Sequence, residues 1–335
     1  MESEKARLAV PFAWQREQWG RLCQQHADNR LPHALLLAGP KGVGKLHLAS
    51  AFGCYLLCLS PLNNAACGHC KGCDLNLSGT HPDLLLLRPE DGSRVIKIDQ
   101  VRSLTEFLSK TAQQGGRKVA VIEPAEGLNA NSANALLKSL EEPSGDTTLL
   151  LVSHLTSGVL ATIRSRCQLL PFAIPSTDDG LAWLAPLAVG QDPEYLLKCA
   201  AGAPLAAFAL LDGDKLVKQE ALIKGLLGVA THNASPLALA AELASGEPLV
   251  VIESMQQWLQ SGFRQQASGG EASAGRDAQL VNLLAATPAT VAYRFWDKLV
   301  RLKRQSLSAA NPNKQLLLEE LMLDWQALAR QSRYA

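Results

Sequence analysis

Several absences narrow the field before any motif is read. Charge is balanced, with 32 lysines and arginines against 31 aspartates and glutamates in 335 residues, a formal net charge of +1. That excludes a protein whose whole surface grips nucleic acid, though not a local basic patch. No window of about 18 uncharged apolar residues occurs, so no membrane-spanning helix is expected. The start, MESEKARLAV, is charged and lacks an apolar segment, so no secretory signal is expected and the chain reads as cytoplasmic. There is no internal repeat and no low-complexity tract. What remains is 47% hydrophobic and 19% charged, too apolar for disorder and ample for a large core. At about 150 residues per domain, the length predicts two or three domains.

The eight cysteines divide in two. Cys23, Cys54, Cys167 and Cys199 are scattered, whereas Cys58, Cys67, Cys70 and Cys73 share one short window. In a chain without an export signal, such clustering points to a metal and not to a disulfide framework. The string Cys67-Gly-His-Cys-Lys-Gly-Cys73 is like a zinc knuckle, with Gly68 and Gly72 permitting the tight backbone. Four thiolates close a tetrahedron around Zn²⁺ at about 2.3 Å and leave no open position, so the site would be structural. The doubled two-residue spacing also suits iron–sulfur ligation, although the Cys-Pro element that accompanies it is missing. Unmetallated thiols are the third reading. His69 reads as a neighbour of the site and not as a ligand.

Short apolar runs at Ala34–Ala38, Asp83–Leu87, Val119–Ile122, Thr147–Val152 and Gln168–Phe172 alternate with helical stretches. Those stretches are Lys45–Leu59, Asp99–Gln113, Asn131–Glu141 and a short one near Ser157–Ser165. The alternation predicts a parallel sheet with helices on both faces. In the third stretch Ala133, Leu136, Leu137 and Leu140 line one face, and Pro143 stops the helix. After Phe172 the pattern changes to short helical segments broken by Pro186, Pro193 and Pro204. From Asp212 onward alanine- and leucine-rich helix predominates, with a flexible loop at Ala267–Gly275.

Gly39-Pro-Lys-Gly-Val-Gly44-Lys45 follows the first apolar run and precedes a helix. In that context Gly39, Gly42 and Gly44 turn backbone N–H groups toward a phosphate, and Lys45 reaches the β/γ oxygens. The serine or threonine that holds Mg²⁺ should follow, but position 46 is Leu46. ATP or ADP binding is therefore expected to be weak or vestigial, and magnesium coordination is not expected. A scaffold-only loop is the other reading. The acidic motif expected after a later strand is Val119-Ala-Val-Ile-Glu123-Pro124-Ala-Glu126. Pro124 stands where a hydrolase places the carboxylate that activates water, and proline cannot titrate. Glu126 lies two residues further on.

Several strings, spread over roughly the first 210 residues, resemble the bacterial clamp-loader subunits of DNA polymerase III, of the AAA+ class. They are Cys58 to Cys73 followed by Gly79-Thr-His-Pro-Asp83; Ile98-Asp-Gln-Val-Arg102; Asn134-Ala-Leu-Leu-Lys-Ser-Leu-Glu-Glu-Pro143; and Ile163-Arg-Ser-Arg-Cys167. The resemblance implies an α/β RecA-like AAA+ domain over 1–174 with a zinc module at about 58–80. A helical lid over 175–211 and an all-α collar over 212–335 would follow. It implies a hetero-pentameric ring with the delta and gamma/tau motor subunits, reaching the sliding clamp and primed DNA through the complex. Arg166 resembles the arginine finger that one subunit presents to ATP on its neighbour, a role that suits a permanently charged planar fork; a plain carboxylate partner is the bland reading.

The departures from the motor pattern are Leu46 for threonine, Glu123-Pro124 for Asp-Glu, and Leu205 where an arginine would sense the γ-phosphate. With Arg166 kept, they imply a stationary subunit that assists a neighbour. The alternatives are an active motor subunit, an autonomous ATPase or nucleoside monophosphate kinase, and a zinc-dependent nucleic-acid module. The basic stretch Arg294, Lys298, Arg301, Lys303, Arg304, interleaved with Phe295 and Trp296, reads as a solvated helix face with DNA contact as the sharper option. Leu316, Leu317, Leu318, Leu321 and Leu328 read as a packing face.

Overall fold

The computed structural model describes residues 11–91, 93–114, 116–268, 276–307 and 313–332. They fall into two compact units, one running to Pro186 together with Gly202–Ala206, the other made of Leu187–Ala201 and everything from Ala207.

The first unit is an α/β domain. Helix α1 (Arg16–Ala27) precedes strand β1 (Ala34–Ala38), helix α2 (Lys45–Leu56), helix α3 (Lys71–Leu77) and strand β2 (Leu84–Leu87). Helix α4 (Ile98–Ser109), strand β3 (Arg117–Ile122), helix α5 (Ala130–Glu141) and strand β4 (Asp146–Ser153) follow. A single helical turn, α6 (Ala161–Arg164), leads into strand β5 (Gln168–Pro171), and helix α7 (Thr177–Leu184) comes after it. All five strands are parallel, in the order β2-β3-β4-β1-β5.

Strand alternation sends side chains to both faces, and each face has its own core. Leu35, Leu37, Val119, Val121, Leu150 and Val152 meet Leu48, Phe52 and Tyr55 of α2 and Trp19 of α1. Leu36, Ala120, Ile122, Leu149 and Leu151 meet Leu104 and Leu108 of α4 and Leu136 and Leu140 of α5. Strands buried on both sides must be apolar throughout, which is why they read as continuous runs. The expected face of α5 is largely as read, with Ala133, Leu136 and Leu140 buried and Leu137 half-buried. Asn129 caps that helix, its side-chain oxygen accepting from Ser132 N at 2.9 Å. Among the described residues no helix is long and apolar enough to cross a membrane.

The second unit is helical. It contains α8 (Pro193–Cys199), the second half of α9 (Pro204–Ala209), α10 (Lys215–Ala230), α11 (Pro236–Leu243), α12 (Pro248–Ala267), α13 (Ala278–Ala285), α14 (Ala289–Leu307) and α15 (Lys314–Ser332). Its core centres on Trp258 and Trp325, and Trp325 Nε1 donates to Leu226 O at 2.9 Å. Leu317, Leu318, Leu321 and Leu328 are buried, but Leu316 is 63% exposed. At about 3.6 residues per turn three consecutive leucines cannot share one face, so the expected packing stripe loses Leu316. The loop read at Ala267–Gly275 begins at the end of α12, and residues 269–275 lie outside the described residues.

Candidate functional site

Helix α2 joins two loops of different chemistry. At its N-terminus lies the glycine loop, placed by β1 at the carboxyl edge of the sheet. In open α/β sheets ligands bind at that edge, where strand order switches. Gly42 has φ +83°, and a Cβ there would sit 2.5 Å from the Ala206 Cβ, so only glycine fits. Gly42 O also accepts from Leu205 N at 2.9 Å. Gly44, at φ +86°, is the N-cap of α2. Lys45 is almost fully buried and donates to Gly39 O at 2.8 Å and to Pro40 O. Burial pushes its ammonium down to about 8, against the pull of Glu126 and Glu123. Leu46 packs against the α2-side core, so the residue that replaces a magnesium-binding hydroxyl does structural service. Beside the loop Phe12 stacks on Trp14 and His47, with Trp183 edge-on. Trp14 Nε1 and Gln15 Nε2 both donate to Val43 O.

At the same edge, just past β3, stands Glu123. Arg88 Nη2 lies 2.7 Å from its Oε2, and His154 Nε2 lies 3.4 Å from its Oε1. Burial alone would raise the Glu123 carboxyl, but the His154 hydrogen bond and the Arg88 charge outweigh it and hold it below the usual range. Pro124 is next, and Glu126 accepts from the His154 backbone N–H at 2.9 Å. The glycine loop thus offers backbone N–H groups and one lysine to a phosphate. Leu46 gives magnesium no ligand, and the Glu123 carboxylate is already engaged by two side chains.

At the C-terminus of α2 the chain leaves the helix at Leu56, earlier than the expected Leu59, and carries Cys58 toward Cys67, Cys70 and Cys73. All four sulfurs lie within 4.8 Å of one another. Cys58–Cys70, Cys67–Cys73 and Cys58–Cys73 are separated by 3.8, 3.9 and 3.7 Å. An ion about 2.3 Å from each vertex of a tetrahedron requires edges of about 3.8 Å, so the sulfur set fits one zinc-sized ion. Backbone N–H groups of Cys67, Gly68, Leu59 and Cys73 point at the sulfurs at 3.2 to 3.4 Å. These donors favour thiolates. Ser60 and the surrounding N–H groups pull Cys67 down to about 5, while burial raises Cys58 and Cys73. A Cβ on Gly72 would lie 2.4 Å from Leu57 O, which explains that glycine. His69 turns Nδ1 to Cys67 O at 2.8 Å and is exposed. Among the described residues no other group of three or more potential ligands converges in this way.

Arg166 occupies the turn between α6 and β5. Its Nε donates to Glu141 Oε1 at 2.7 Å, Nη2 contacts the same oxygen, and Nη1 donates to Thr162 O at 3.0 Å. The strand register fixes its position. Gln168 pairs with Leu35 and Pro171 with Ala38, so Arg166 lies at the amino edge of the sheet and the glycine loop at the carboxyl edge. The intervening strand spans roughly 15 Å at about 3.3 Å per residue, well beyond one arginine side chain.

Two family models match the chain: DNA polymerase III, delta subunit, over residues 14–176, and DNA polymerase III, delta subunit, C terminal, over 214–327. The DNA polymerase III subunit delta' of Pseudomonas aeruginosa is 40% identical, over 96% of this chain and 99% of the relative. The chain belongs to the DNA polymerase III delta prime family. The Yersinia pestis delta' is 34% identical over 97% of this chain and 98% of its own, and that of Escherichia coli K12 is 32% identical over 93% and 94%. As a delta prime member the chain is a DNA polymerase III subunit, with an α/β unit built on a parallel five-stranded sheet and a helical unit.

Against this delta prime background, the structure brings Gly39, Gly42, Gly44 and Lys45 into one loop and the four cysteines into one cluster, and it sets Arg166 apart from both. Sequence reasoning missed Arg88, His154 and Glu141. Each meets its partner across 25 to 35 residues of chain, and no local pattern marks such pairs. Part of the basic stretch of α14 is engaged internally. Lys298 pairs with Glu320 and Asp324, Lys303 with Glu253, and Phe295 is buried beside Trp325.

Proposed function

We propose that this chain is the stationary, non-hydrolysing subunit of the DNA polymerase III clamp loader. Arg166 serves ATP held by a neighbouring motor subunit. Leu46, Pro124 and Leu205, with Glu123 engaged by Arg88 and His154, keep its own loop from turning nucleotide over. One observation carries the reading. Arg166 lies at the amino edge of the sheet, a strand length from the chain's own phosphate loop. A preoriented, half-exposed guanidinium there can reach a phosphoryl group only on another chain. Such a group would stabilise the charge of the transferring phosphoryl without any proton transfer.

In this proposal the four cysteines hold one structural Zn²⁺, which supplies a cross-link between the end of α2 and α3 and no chemistry on substrate. The first 174 residues act as the AAA+ domain, residues 175–211 as a lid and 212–335 as the collar. The collar holds a hetero-pentameric ring with the delta and gamma/tau subunits, in the cytoplasm. The sliding clamp and primed DNA are met through that complex, as the net charge of +1 suggests.

The test is reconstitution. The purified chain is expected to show negligible ATPase activity and to raise that of the motor subunits when the ring forms. Arg166→Ala should assemble normally and abolish the gain. Robust turnover by the isolated chain would overturn the proposal in favour of a motor subunit.

A further inference from the structure

The guanidinium of Arg166 is held before any partner arrives. Glu141, the last residue of α5, accepts from Nε at 2.7 Å and from Nη2 through the same oxygen, Oε1. On the other edge Nη1 donates to Thr162 O at 3.0 Å and lies 3.4 Å from Ser165 Oγ. These contacts take the inner edges of the fork and leave the second N–H of Nη2 outside them. The side chains of Arg166 and Glu141 are 33% and 50% exposed. An ion pair so open to water contributes little to stability, so its consequence is directional. It selects one orientation from the many that a free arginine samples.

The orienting group is itself well anchored. Leu140, its neighbour, is fully buried, and Leu140 O lies 2.7 Å from His33 Nε2 just before β1. The carboxylate therefore projects from a helix end fixed to the sheet that carries β5. Only Oε1 is used, so the requirement is for one acceptor oxygen at that place.

We propose that Glu141 is the positioning residue for Arg166, fixing the guanidinium so that its outer edge faces the neighbouring subunit's nucleotide. This rests on the reading of Arg166 as a residue acting in trans. Because Glu141 touches Arg166 and not the nucleotide, its loss should slow the chemical step without weakening ATP binding. A small misplacement of a catalytic group costs rate steeply, so the effect should be large for so exposed a residue.

The experiment compares full-length variants in the reconstituted loader, measuring kcat and KM for ATP of the motor activity this chain adds. Glu141→Ala is expected to lower that kcat about tenfold with KM within about twofold. Glu141→Gln keeps an acceptor oxygen at the same reach and should restore most of the rate. Glu142→Ala, which removes the adjacent exposed charge, should behave as wild type. Thermal melts and ring assembly of all three should match the parent. The proposal is overturned if Glu141→Ala runs at or above the wild-type rate, if KM and not kcat changes, or if Glu141→Gln is as slow as Glu141→Ala. If Arg166→Ala itself leaves the rate unchanged, the in-trans reading fails first. A loss with Arg166→Ala and none with Glu141→Ala overturns the positioning role alone.

Discussion

The two ends of helix α2 carry loops built with the same device, glycines that let backbone N–H groups converge, yet their fates differ. At the C-terminal end four sulfurs face one another with amide donors around them. At the N-terminal end Lys45 and the nearby Glu123 have already found partners within the chain. Lys45 rests on Gly39 and Pro40, Gly42 accepts from Leu205, and Glu123 holds Arg88 and His154. A set of converging donors without partners calls for an ion. A set that satisfies itself becomes scaffold. The comparison teaches that motif completeness matters less than whether the motif's atoms remain available.

Removing the ion should give the largest effect. The purified chain is expected to contain one zinc per molecule, released when the four thiols are titrated with a mercurial and measured by a colorimetric chelator. Cys73→Ser, which deletes a fully buried ligand, should cost several kcal/mol and lower the melting midpoint by about 10 °C. Undiminished metal content in that variant would break the comparison at its stronger end.

The glycine loop is tested next. If it is scaffold, Gly42→Ala should destabilise the fold itself by about 2–3 kcal/mol in denaturant unfolding, because the new methyl meets the Ala206 backbone at φ +83°. An unchanged unfolding midpoint would mean that the loop is free to move away from Ala206 and is not held as scaffold.

The smallest expected effect concerns Lys45. Its folded ammonium titrates near 8, below the unfolded value of about 10.4, so between those limits the unfolded chain binds more protons and stability rises with pH. Other buried groups titrate with the opposite sign. Burial raises Tyr195 and Cys199, for example, which weakens the fold as pH rises. The measurement is therefore a difference between wild type and Lys45→Met. The wild type should gain about 1–2 kcal/mol relative to the variant between pH 8 and 9.5. No pH-dependent difference would mean that Lys45 is better solvated than its burial indicates.

Much of the first unit was legible because its three central strands are buried on both faces and its helices have clear amphipathic stripes. The strand positions agree within two residues, and α5 begins one residue early because Asn129 takes the cap. The helix ends were less legible. Helix α2 stops at Leu56 since Cys58 must reach the cluster, and α4 stops at Ser109, short of the expected Gln113. The buried Asp83 carboxylate accepts from the backbone N–H groups of Gln113 and Gln114. A contact made across 30 residues leaves no periodic trace. In the helical unit, composition pointed to helices, but the exposure of Leu316 depended on which stripe of α15 met Trp258 and its neighbours.

The sequence alone determined the local chemistry: four cysteines at knuckle spacing, a glycine loop whose next residue is leucine, and a proline where a base would stand. Local spacing is enough for these, since neighbouring residues are bound to be near one another. The tertiary structure decided availability and direction. It gave Glu123 to Arg88 and His154, packed a half-buried Leu46 against a core, and placed Arg166 on Glu141 at the sheet edge opposite its own phosphate loop. Those outcomes follow from strand order, which brings together residues that the chain itself holds apart.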